Sequence, residues 1–369
     1  MSAEVDLTSA SSSAAVARRR IGRSSLEVSA LGLGCAGLGG LYRDIREADA
    51  RATIDAAWEA GIRFFDTAPY YGYTKSERFV GAALRERERD AFVISTKAGR
   101  IMRPNRGPAA RASRDGWAHP LPFEPVYDYT YDGIMRSFED SLQRLGIAHI
   151  DILLVHDIGA LTHGAQSAHY WRQLSEGGFR ALDALRASGA VRAVGLGVNE
   201  ADAVADAMRE FEIDCALLAG RYTLLEQQTL DTLLPECERR AVSMLIGGVF
   251  NSGILARGVR HLRDQPASPG SPGSAASALK FNYGEAPAEV IERVARIEAV
   301  CDRYAVALPS AALRFPYAHR AVASVLTGAS SVDELRQNIE AFTAPIPAAF
   351  WQALRAEGLL DPRAPTPSV

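Results

Sequence analysis

The sequence predicts an α/β protein whose fold is a closed (β/α)8 TIM barrel. Short runs of Ile, Val, Leu and Phe alternate along the chain with segments whose apolar residues recur at helical spacing. Such continuously apolar runs are typical of parallel strands that are buried on both faces. Strands joined by helices pair in parallel through right-handed crossovers, and eight repeats favour closure into a barrel. An N-terminal β-hairpin and long loops at the C-terminal face complete the predicted architecture.

The predicted elements follow one another in chain order. A turn at Gly22, Ser24 and Ser25 separates two extended segments that form the hairpin. The first predicted helix stops at Gly61, which can take the left-handed conformation common after a helix. Barrel strands are predicted over residues 28–33, 62–66, 92–97, 150–156, 193–197, 215–218, 242–246 and 322–326. Helices are predicted over 46–60, 76–87, 131–145, 177–188, 200–211, 287–304, 308–319 and 331–342.

Glycines after the first predicted strand raise a second architecture, a doubly wound open sheet with a dinucleotide-binding turn. They are Gly32, Gly34, Gly37, Gly39 and Gly40. That turn requires a helix directly after the glycines and an acidic residue placed to bind the ribose. Here the segment LYRDIRE intervenes, and Asp66 is followed by a tyrosine-rich loop. The spacing therefore favours the closed barrel.

Length and composition predict one large domain with short tails. The chain has 369 residues, of which 47% are hydrophobic and 23% charged, with a formal net charge of -3. This is enough apolar sequence for a sizeable core. The near-neutral charge gives no electrostatic basis for binding nucleic acid or an acidic membrane surface. We expect a disordered Ser/Ala-rich tail over 1–19, a single barrel domain over 20–360 and a C-terminal tail over 361–369.

Cysteine usage and apolar patterning predict a cytoplasmic protein. The four cysteines lie far apart, without a CxxC pair or metal-ligand spacing, so free buried thiols and no metal are expected. An arginine run at 18–20 invites an export signal, but Arg23 and Glu27 interrupt the apolar segment that would have to follow. No stretch approaches the ~20 apolar residues of a membrane-spanning helix. We expect a monomer or small homo-oligomer that acts on a small molecule.

Two long insertions, residues 98–129 and 248–288, leave strand ends on one predicted face of the barrel. Loops of this length are usually functional lids or disordered. The Pro/Gly/Ser-rich stretch 265–277 is expected to be flexible. The first insertion carries the aromatic residues Trp117, Phe123 and Tyr127, and it also contains Arg100, Arg103, Arg106, Arg111 and Arg114. These arginines could attract an anionic substrate, but we expect a solvated loop.

Four reactive side chains end or follow predicted strands, namely Asp66, Tyr71, Lys97 and His156. The carboxyl ends of barrel strands meet at one face, which is where barrel enzymes place their chemistry. A phenol has a pKa of about 10, and a nearby ammonium such as that of Lys97 lowers it. Asp66 would hold Lys97 in its charged form, and His156 would bind a substrate oxygen.

Each of these residues also has a structural explanation when taken alone. Asp66 could cap a loop, Lys97 could lie on the surface, and His156 could be a satisfied core histidine. The case for an enzyme depends on three strands delivering compatible groups to the same end. Together the four describe proton transfer at a carbonyl or hydroxyl oxygen, and hydride transfer to or from a nicotinamide cofactor would complete the reaction.

Sequence motifs over about residues 20–345 resemble the aldo-keto reductase superfamily. They are Gly32-Leu33-Gly34, DTAPYYG (66–72), STKAG (95–99), LLVHD (153–157), GLGVN (195–199) and LTGASSVDELRQN (326–338). The resemblance implies a (β/α)8 barrel that binds NAD(P)H in an extended pose. It also implies that Asp66, Tyr71, Lys97 and His156 form the family's catalytic tetrad, with Tyr71 as general acid and base.

Two further segments are similar to the bacterial sugar-dehydrogenase branch of that family. They are THGAQSAHYWRQLSEGGFRAL (162–182) and AGRYTLLEQQ (219–228). The resemblance implies an NAD(P)-dependent dehydrogenase that oxidises the anomeric C1 hydroxyl of a small aldose, of the L-fucose or D-threo-aldose type, to the lactone. The alternative is an oxidoreductase of pyridoxal-type or general aldehydes. Tyr70 and Trp117 are the expected substrate-binding residues in either case, because aromatic side chains could line a flat pocket.

Cofactor-binding residues are carried over position by position, and the implied set is Asn199, Gly248, Phe250, Asn251, Gly253, Gly328, Ser330, Glu334 and Asn338. The chain departs from the family pattern at Val198, where relatives have serine, and at Ala219, where they have glutamine. The tyrosine that stacks on the nicotinamide ring would align near Gly247, so Phe250 or Tyr222 is expected to replace it.

The adenosine end of the implied site predicts NAD over NADP. Gly328 and Glu334 occupy positions where NADP-using relatives have cations for the 2′-phosphate. A carboxylate repels that phosphate and can accept a hydrogen bond from the free ribose hydroxyl. Arg336 is the nearest cation in sequence and is expected to point elsewhere.

Overall fold

A computed structural model describes residues 12–107, 112–260 and 279–367. Its centre is a closed barrel of parallel strands in the order β3-β4-β5-β8-β9-β10-β11-β14, with β14 returning to β3. The strands, numbered along the chain, are β1 (Arg18–Arg20), β2 (Glu27–Ser29), β3 (Leu31–Gly34), β4 (Phe64–Asp66), β5 (Val93–Ala98), β6 (Arg100–Pro104), β7 (Phe123–Tyr127), β8 (Ile152–His156), β9 (Ala193–Val198), β10 (Cys215–Ala219), β11 (Ser243–Gly247), β12 (Lys280–Phe281), β13 (Gly284–Glu285) and β14 (Val322–Gly328). The predicted (β/α)8 barrel is confirmed, and the open sheet is excluded.

Helices follow the barrel strands and cover the outside. They are α1 (Ser12–Val16), α2 (Glu47–Glu59), α3 (Lys75–Leu84), α4 (Tyr131–Leu145), α5 (Ala160–His163), α6 (Ser167–Gln173), α7 (Phe179–Ala187), α8 (Ala201–Glu210), α9 (Leu233–Arg240), α10 (Ile254–Arg257), α11 (Ala288–Tyr304), α12 (Leu308–Tyr317), α13 (Val332–Thr343) and α14 (Ala348–Ala356). Local sequence explains their ends: the Thr130 hydroxyl accepts a hydrogen bond from the Gly133 amide, and Gly146 ends α4 with φ 66°.

Buried side chains fill both faces of the barrel wall. Along β4 the alternation of a strand sends Phe64 into the barrel interior and Phe65 outward beneath the helices. The N-terminal hairpin contributes Ile21, Leu26 and Val28 to the interior cluster. This hairpin therefore belongs to the core. The barrel strands are covered on both faces, which explains the continuously apolar runs of the sequence.

The N-terminal and C-terminal boundaries differ from the predicted ones. Residues 12–19, predicted as part of a disordered tail, form α1 and begin β1, and Ala15 in α1 is buried. Arg19 donates to the carbonyls of Tyr317 (3.0 Å), His319 (3.1 Å) and Val322 (2.6 Å). Those carbonyls lie 298 or more residues away in sequence, so local composition could not reveal them. Similarly, Ala364 in the predicted C-terminal tail is buried.

The first predicted strand is divided in two. Residues Glu27–Ser29 pair antiparallel with Arg18–Arg20, and only Leu31–Gly34 enter the barrel. The Ser29 hydroxyl donates to the Leu31 carbonyl at 2.8 Å at the point of division. Continuous apolar patterning conceals such a break, because both pieces are buried.

Both insertions contain short antiparallel hairpins. The first forms β6 and β7, with Arg100 opposite Tyr127, and the second forms α10, β12 and β13. The Pro/Gly/Ser-rich stretch 265–277, which was predicted to be flexible, lies outside the described residues. Within the described ranges, the helices are too short or too polar to cross a membrane. The four cysteines are free and buried, as predicted.

Close contact between neighbouring strands predicts a stability effect at Gly195 in β9. A Cβ atom there would lie 1.7 Å from the Cys215 carbonyl oxygen, whereas at Gly34 in β3 the nearest atom would be 3.6 Å away. We expect Gly195→Ala to lower the free energy of unfolding by about 3 kcal/mol, the scale of an overpacked core. Gly34→Ala is the matched control, with a change below ~1 kcal/mol. Urea unfolding would contradict this assignment if the two variants were equally stable.

Candidate active site

A buried ion pair between Lys97 and Asp66 forms the base of the site. The Lys97 ammonium donates to Asp66 Oδ2 (2.8 Å), Asp66 Oδ1 (3.0 Å) and the Thr67 carbonyl (2.8 Å). The Ser95 hydroxyl donates to Asp66 Oδ1 at 2.7 Å. Lys97 is 1% exposed and Asp66 3% exposed. Burial lowers the pKa of Lys97, but Asp66 and Tyr71 together raise it above its ordinary value, so the lysine stays charged.

Tyr71 and His156 lie above this pair at the same mouth of the barrel. The Lys97 ammonium is 4.7 Å from the centroid of the Tyr71 ring. The rings of Tyr71 and His156 meet edge to face, with centroids 6.0 Å apart. Tyr71, Lys97 and His156 line one cavity. The structure thus brings the four residues singled out by sequence together.

The electrostatics of Tyr71 correct one expectation. Burial raises the pKa of the phenol, Lys97 lowers it, and Asp66 raises it, with a net pKa above the ordinary value. The lowered phenol pKa expected beside Lys97 is not found, because burial outweighs the lysine and the Asp66 carboxylate disfavours a second negative charge nearby. Asp66 therefore acts on Tyr71 in two ways: it raises the phenol pKa directly, and it holds the lysine that lowers it.

His156 is an uncharged imidazole in this environment. Burial, with Arg100 and Lys97 adding to it, holds the pKa of His156 well below its usual range. Its Nε2 lies 3.5 Å from Asp157 Oδ2. Its Nδ1 is buried and has no hydrogen-bond partner among the described residues. The His156 ring lines the cavity beside Tyr71, so a molecule bound there would contact it.

The cavity above Tyr71 has a volume of about 470 Å³, and aromatic side chains form a large part of its lining. Besides Tyr71 and His156, its lining includes Tyr42, Tyr70, Trp117 and Tyr283, with Asp115 as an exposed carboxylate. Tyr70 and Trp117, predicted from sequence to bind substrate, are perpendicular, with ring centroids 5.7 Å apart. The Trp117 indole nitrogen is buried without a partner in the described part of the chain.

A second cavity of about 450 Å³ continues from the first along the strand ends. Most of the predicted cofactor residues line it, namely Asn199, Gly248, Phe250, Asn251, Gly253, Gly328 and Glu334. Ser330 and Asn338 lie behind the lining: Ser330 donates to Glu334 Oε2 (2.8 and 2.9 Å), and Asn338 donates to the Gly328 carbonyl (3.1 Å). Both residues thus adjoin the groove through Glu334 and Gly328, which line it.

The groove has the character that an extended dinucleotide requires. Asn251 and Thr327 line it, and their side-chain oxygens Oδ1 and Oγ1 are buried without partners among the described residues. Gly248 and Gly253 have φ angles of 63° and 98°, so the chain turns sharply and presents backbone there. Backbone turns of this kind commonly receive anionic groups. The residues present therefore fit a nicotinamide dinucleotide.

Of the two aromatic residues expected to stack on the nicotinamide ring, Tyr222 is excluded. It is fully buried and packs against Phe315 and His319, with ring centroids 5.1 and 5.7 Å away. Phe250 lines the groove. Tyr283, which sequence reasoning did not single out, lines both cavities.

Three arginines that border the groove were also missed. Arg221 and Arg257 line it, and Arg221 donates to the Asn199 carbonyl at 2.7 Å. The Arg43 guanidinium pairs with the Glu334 carboxylate at 3.1 Å. Sequence reasoning had considered only Arg336, the nearest cation in sequence. Arg221 lies two residues after the end of β10, so a search for polar residues after strand ends could have found it. No local signal marks Arg43, because loop packing brings it to Glu334.

Family comparison agrees with this geometry. The model of the aldo/keto reductase family matches residues 30–357. This chain belongs to the aldo/keto reductase family. Its members are oxidoreductases that use nicotinamide cofactors.

Two relatives share most of their length with this chain. Pyridoxal 4-dehydrogenase of Microbacterium luteolum is 46% identical over 354 residues, covering 93% of this chain and 98% of the relative. D-threo-aldose 1-dehydrogenase of a Pseudomonas species is 39% identical over 339 residues, covering 91% and 96%.

Solved structures show the same fold. An aldo-keto reductase from Bacillus halodurans in its holo form superposes with a TM-score of 0.67 at 24% identity, covering 93% of this chain and 96% of that one. Glycerol dehydrogenase of Gluconobacter oxydans gives a TM-score of 0.68 at 21% identity, covering 95% and 97%.

Proposed function

We propose that this protein oxidises a cyclic hemiacetal to a lactone with NAD, and that its preferred substrate is a flat heteroaromatic hemiacetal of the pyridoxal type. The main support is the cavity beside Tyr71, whose lining includes the aromatic side chains of Tyr70, Trp117 and Tyr283 and the carboxylate of Asp115. A flat ring with polar substituents would cover the aromatic walls and place an oxygen atom beside His156.

The reaction requires a proton acceptor beside the hemiacetal hydroxyl. Tyr71 takes the hydroxyl proton, the C–H bond breaks with its electron pair leaving as hydride, and the carbon–oxygen double bond of the lactone forms. A bound nicotinamide ring supplies the hydride acceptor. Lys97 favours the phenolate of Tyr71, Asp66 keeps Lys97 charged, and His156 binds the substrate oxygen.

Pyridoxal fits this chemistry because its aldehyde closes on the adjacent hydroxymethyl group to form a cyclic hemiacetal. Its ring nitrogen carries a proton at neutral pH, so a carboxylate on the cavity wall would bind it. Asp115 is that carboxylate, and the Tyr73 hydroxyl donates a hydrogen bond to its Oδ2. The 46% identity with pyridoxal 4-dehydrogenase supports the same choice.

A small aldose is the second candidate, since its anomeric hydroxyl is also part of a cyclic hemiacetal. The 39% identity with D-threo-aldose 1-dehydrogenase supports it. Sugar hydroxyls would bind Asp115, His156 and Asn199, which all line the cavity, and the less polar face of the sugar would pack on Trp117. The same catalytic residues serve both substrates.

Replacing Tyr71 by phenylalanine tests its role as the proton acceptor. We expect Tyr71→Phe to lower kcat by about 10²–10⁴-fold, the usual contribution of a positioned acid or base. NAD affinity, measured by quenching of tryptophan fluorescence, should change by less than about threefold because the ring is kept. Tyr70→Phe is the control, since it removes a neighbouring hydroxyl from the same cavity. Similar kcat losses in both variants would remove Tyr71 from its proposed position in the reaction.

A substrate panel with NAD distinguishes the two candidates. We expect kcat/KM for pyridoxal to exceed that for L-fucose, D-arabinose and L-galactose. Asp115→Asn should raise KM for pyridoxal about tenfold, as expected for loss of a charge-assisted hydrogen bond, and should affect aldoses less. A higher kcat/KM for an aldose, with no selective effect of Asp115→Asn, would make the aldose the substrate.

The Arg43–Glu334 pair tests the proposed preference for NAD. We expect Glu334→Gln to raise kcat/KM for NADP relative to NAD by about tenfold, because Arg43 becomes free to bind the 2′-phosphate. Arg43→Ala should move the same ratio in the opposite direction. Steady-state kinetics with both cofactors measures the ratio, and a wild-type preference for NADP would contradict the assignment.

A further inference from the structure

Arg100 is buried beside the active site, contrary to the solvated position expected from sequence. It begins the hairpin of the first insertion and is 4% exposed. Its guanidinium donates to Asp157 Oδ2. The same group lies over the rings of Tyr70 and Tyr127, at 4.3 and 5.5 Å from their centroids. A buried arginine held between aromatic faces and a carboxylate has a fixed position.

Asp157 connects Arg100 to the site. It directly follows His156, has a left-handed φ of 43°, and its amide donates to the Gly197 carbonyl at 2.9 Å. Asp157 Oδ1 accepts a hydrogen bond from the Asn199 side chain at 3.3 Å. Asp157 Oδ2, the oxygen bound by Arg100, lies 3.5 Å from His156 Nε2. One carboxylate therefore contacts an arginine, the active-site imidazole and a cofactor residue.

The Asp157 carboxylate and the Arg100 guanidinium act in opposite directions on the pKa of His156. A carboxylate beside an imidazole raises the imidazole pKa by stabilising the imidazolium. Arg100 neutralises that carboxylate and also repels a positive charge on His156. The titratable or charged groups packed around His156 are Tyr70 and Tyr71 after β4, Lys97 in β5, Arg100 in β6, Tyr129 before α4 and Asp157 beside it.

We propose that Arg100 is a positioning residue, which neutralises Asp157 and thereby keeps His156 an uncharged imidazole available to the substrate oxygen. The role given to His156 rests on the proposed function, whereas the charge state of His156 does not. Without Arg100, the carboxylate would pair with a protonated imidazole, and a second positive charge would stand near Lys97. Such a site would oppose binding of the positively charged oxidised nicotinamide ring.

Histidine NMR on the full chain tests the charge state directly. The protein is labelled with 13C at the histidine Cε1 position, and His156→Gln assigns the His156 signal. In the wild type we expect His156 to remain neutral from about pH 6 to 8, the range in which unperturbed histidines titrate. In Arg100→Met it should titrate within that range. Arg100→Met combined with Asp157→Asn should return it to neutral, and Arg100→Lys should keep it neutral.

Arg103→Met is the matched control, because Arg103 lies in the same strand but is exposed. It should leave the His156 titration unchanged. The kcat/KM profile gives a second readout: protonation of His156 below its raised pKa should lower kcat/KM of Arg100→Met by about tenfold at pH 6, with recovery toward pH 9.

A folded Arg100→Met variant whose His156 stays neutral would overturn the proposal. If that variant fails to fold, Arg100→Gln decides, because its amide can still donate to Asp157 but carries no charge, so His156 should titrate between about pH 6 and 8 there. A neutral His156 in Arg100→Gln would therefore also overturn the proposal. If the NMR result holds while the wild type oxidises no hemiacetal in the panel, the proposed function fails and the role of Arg100 stands.

Discussion

The ion pair between Lys97 and Asp66 is the constraint on which the rest of the site depends. Moving both charges out of water carries a penalty of several kcal/mol per ion, which only close pairing and complete hydrogen bonding can offset. The structure meets both conditions, through two Lys97–Asp66 contacts and through Ser95 and Thr67. Loss of either partner would leave an unpaired buried charge. The charge of each residue and its position on its strand therefore depend on the other residue.

Sheet register explains how the pair is built. Asp66 in β4 lies opposite Ser95 in β5, and Lys97 is two residues farther along the same strand, so both β5 side chains share one face. Gly197 in β9 leaves room for the lysine stem, since a Cβ there would be 3.0 Å from Lys97 Cε. The barrel thus fixes the ammonium below the phenol before any ligand binds, which is the condition for preorganised catalysis.

The sequence allowed the barrel and the four strand-end residues to be predicted, because both depend on local pattern. Apolar runs define strands, and parallel closure brings their carboxyl ends together. The burial of Arg100, the helix at Ser12–Val16 and the exclusion of Tyr222 from the groove were not predictable in this way. Each depends on contacts between segments distant in sequence. The local sequence around a charged or aromatic residue does not show whether that residue is buried or lies in a solvated loop.

The buried charges of the site occur in pairs of opposite sign. Lys97 is paired with Asp66 and Arg100 with Asp157, while His156 is neutral and burial keeps the Tyr71 phenol protonated. The site is therefore close to neutral before a cofactor binds. A positive charge brought beside Tyr71 would lower the phenol pKa, adding to the effect of Lys97. Under the proposed function, the proton would leave Tyr71 chiefly when the oxidised cofactor is present, so burial of the phenol would link proton transfer to cofactor binding.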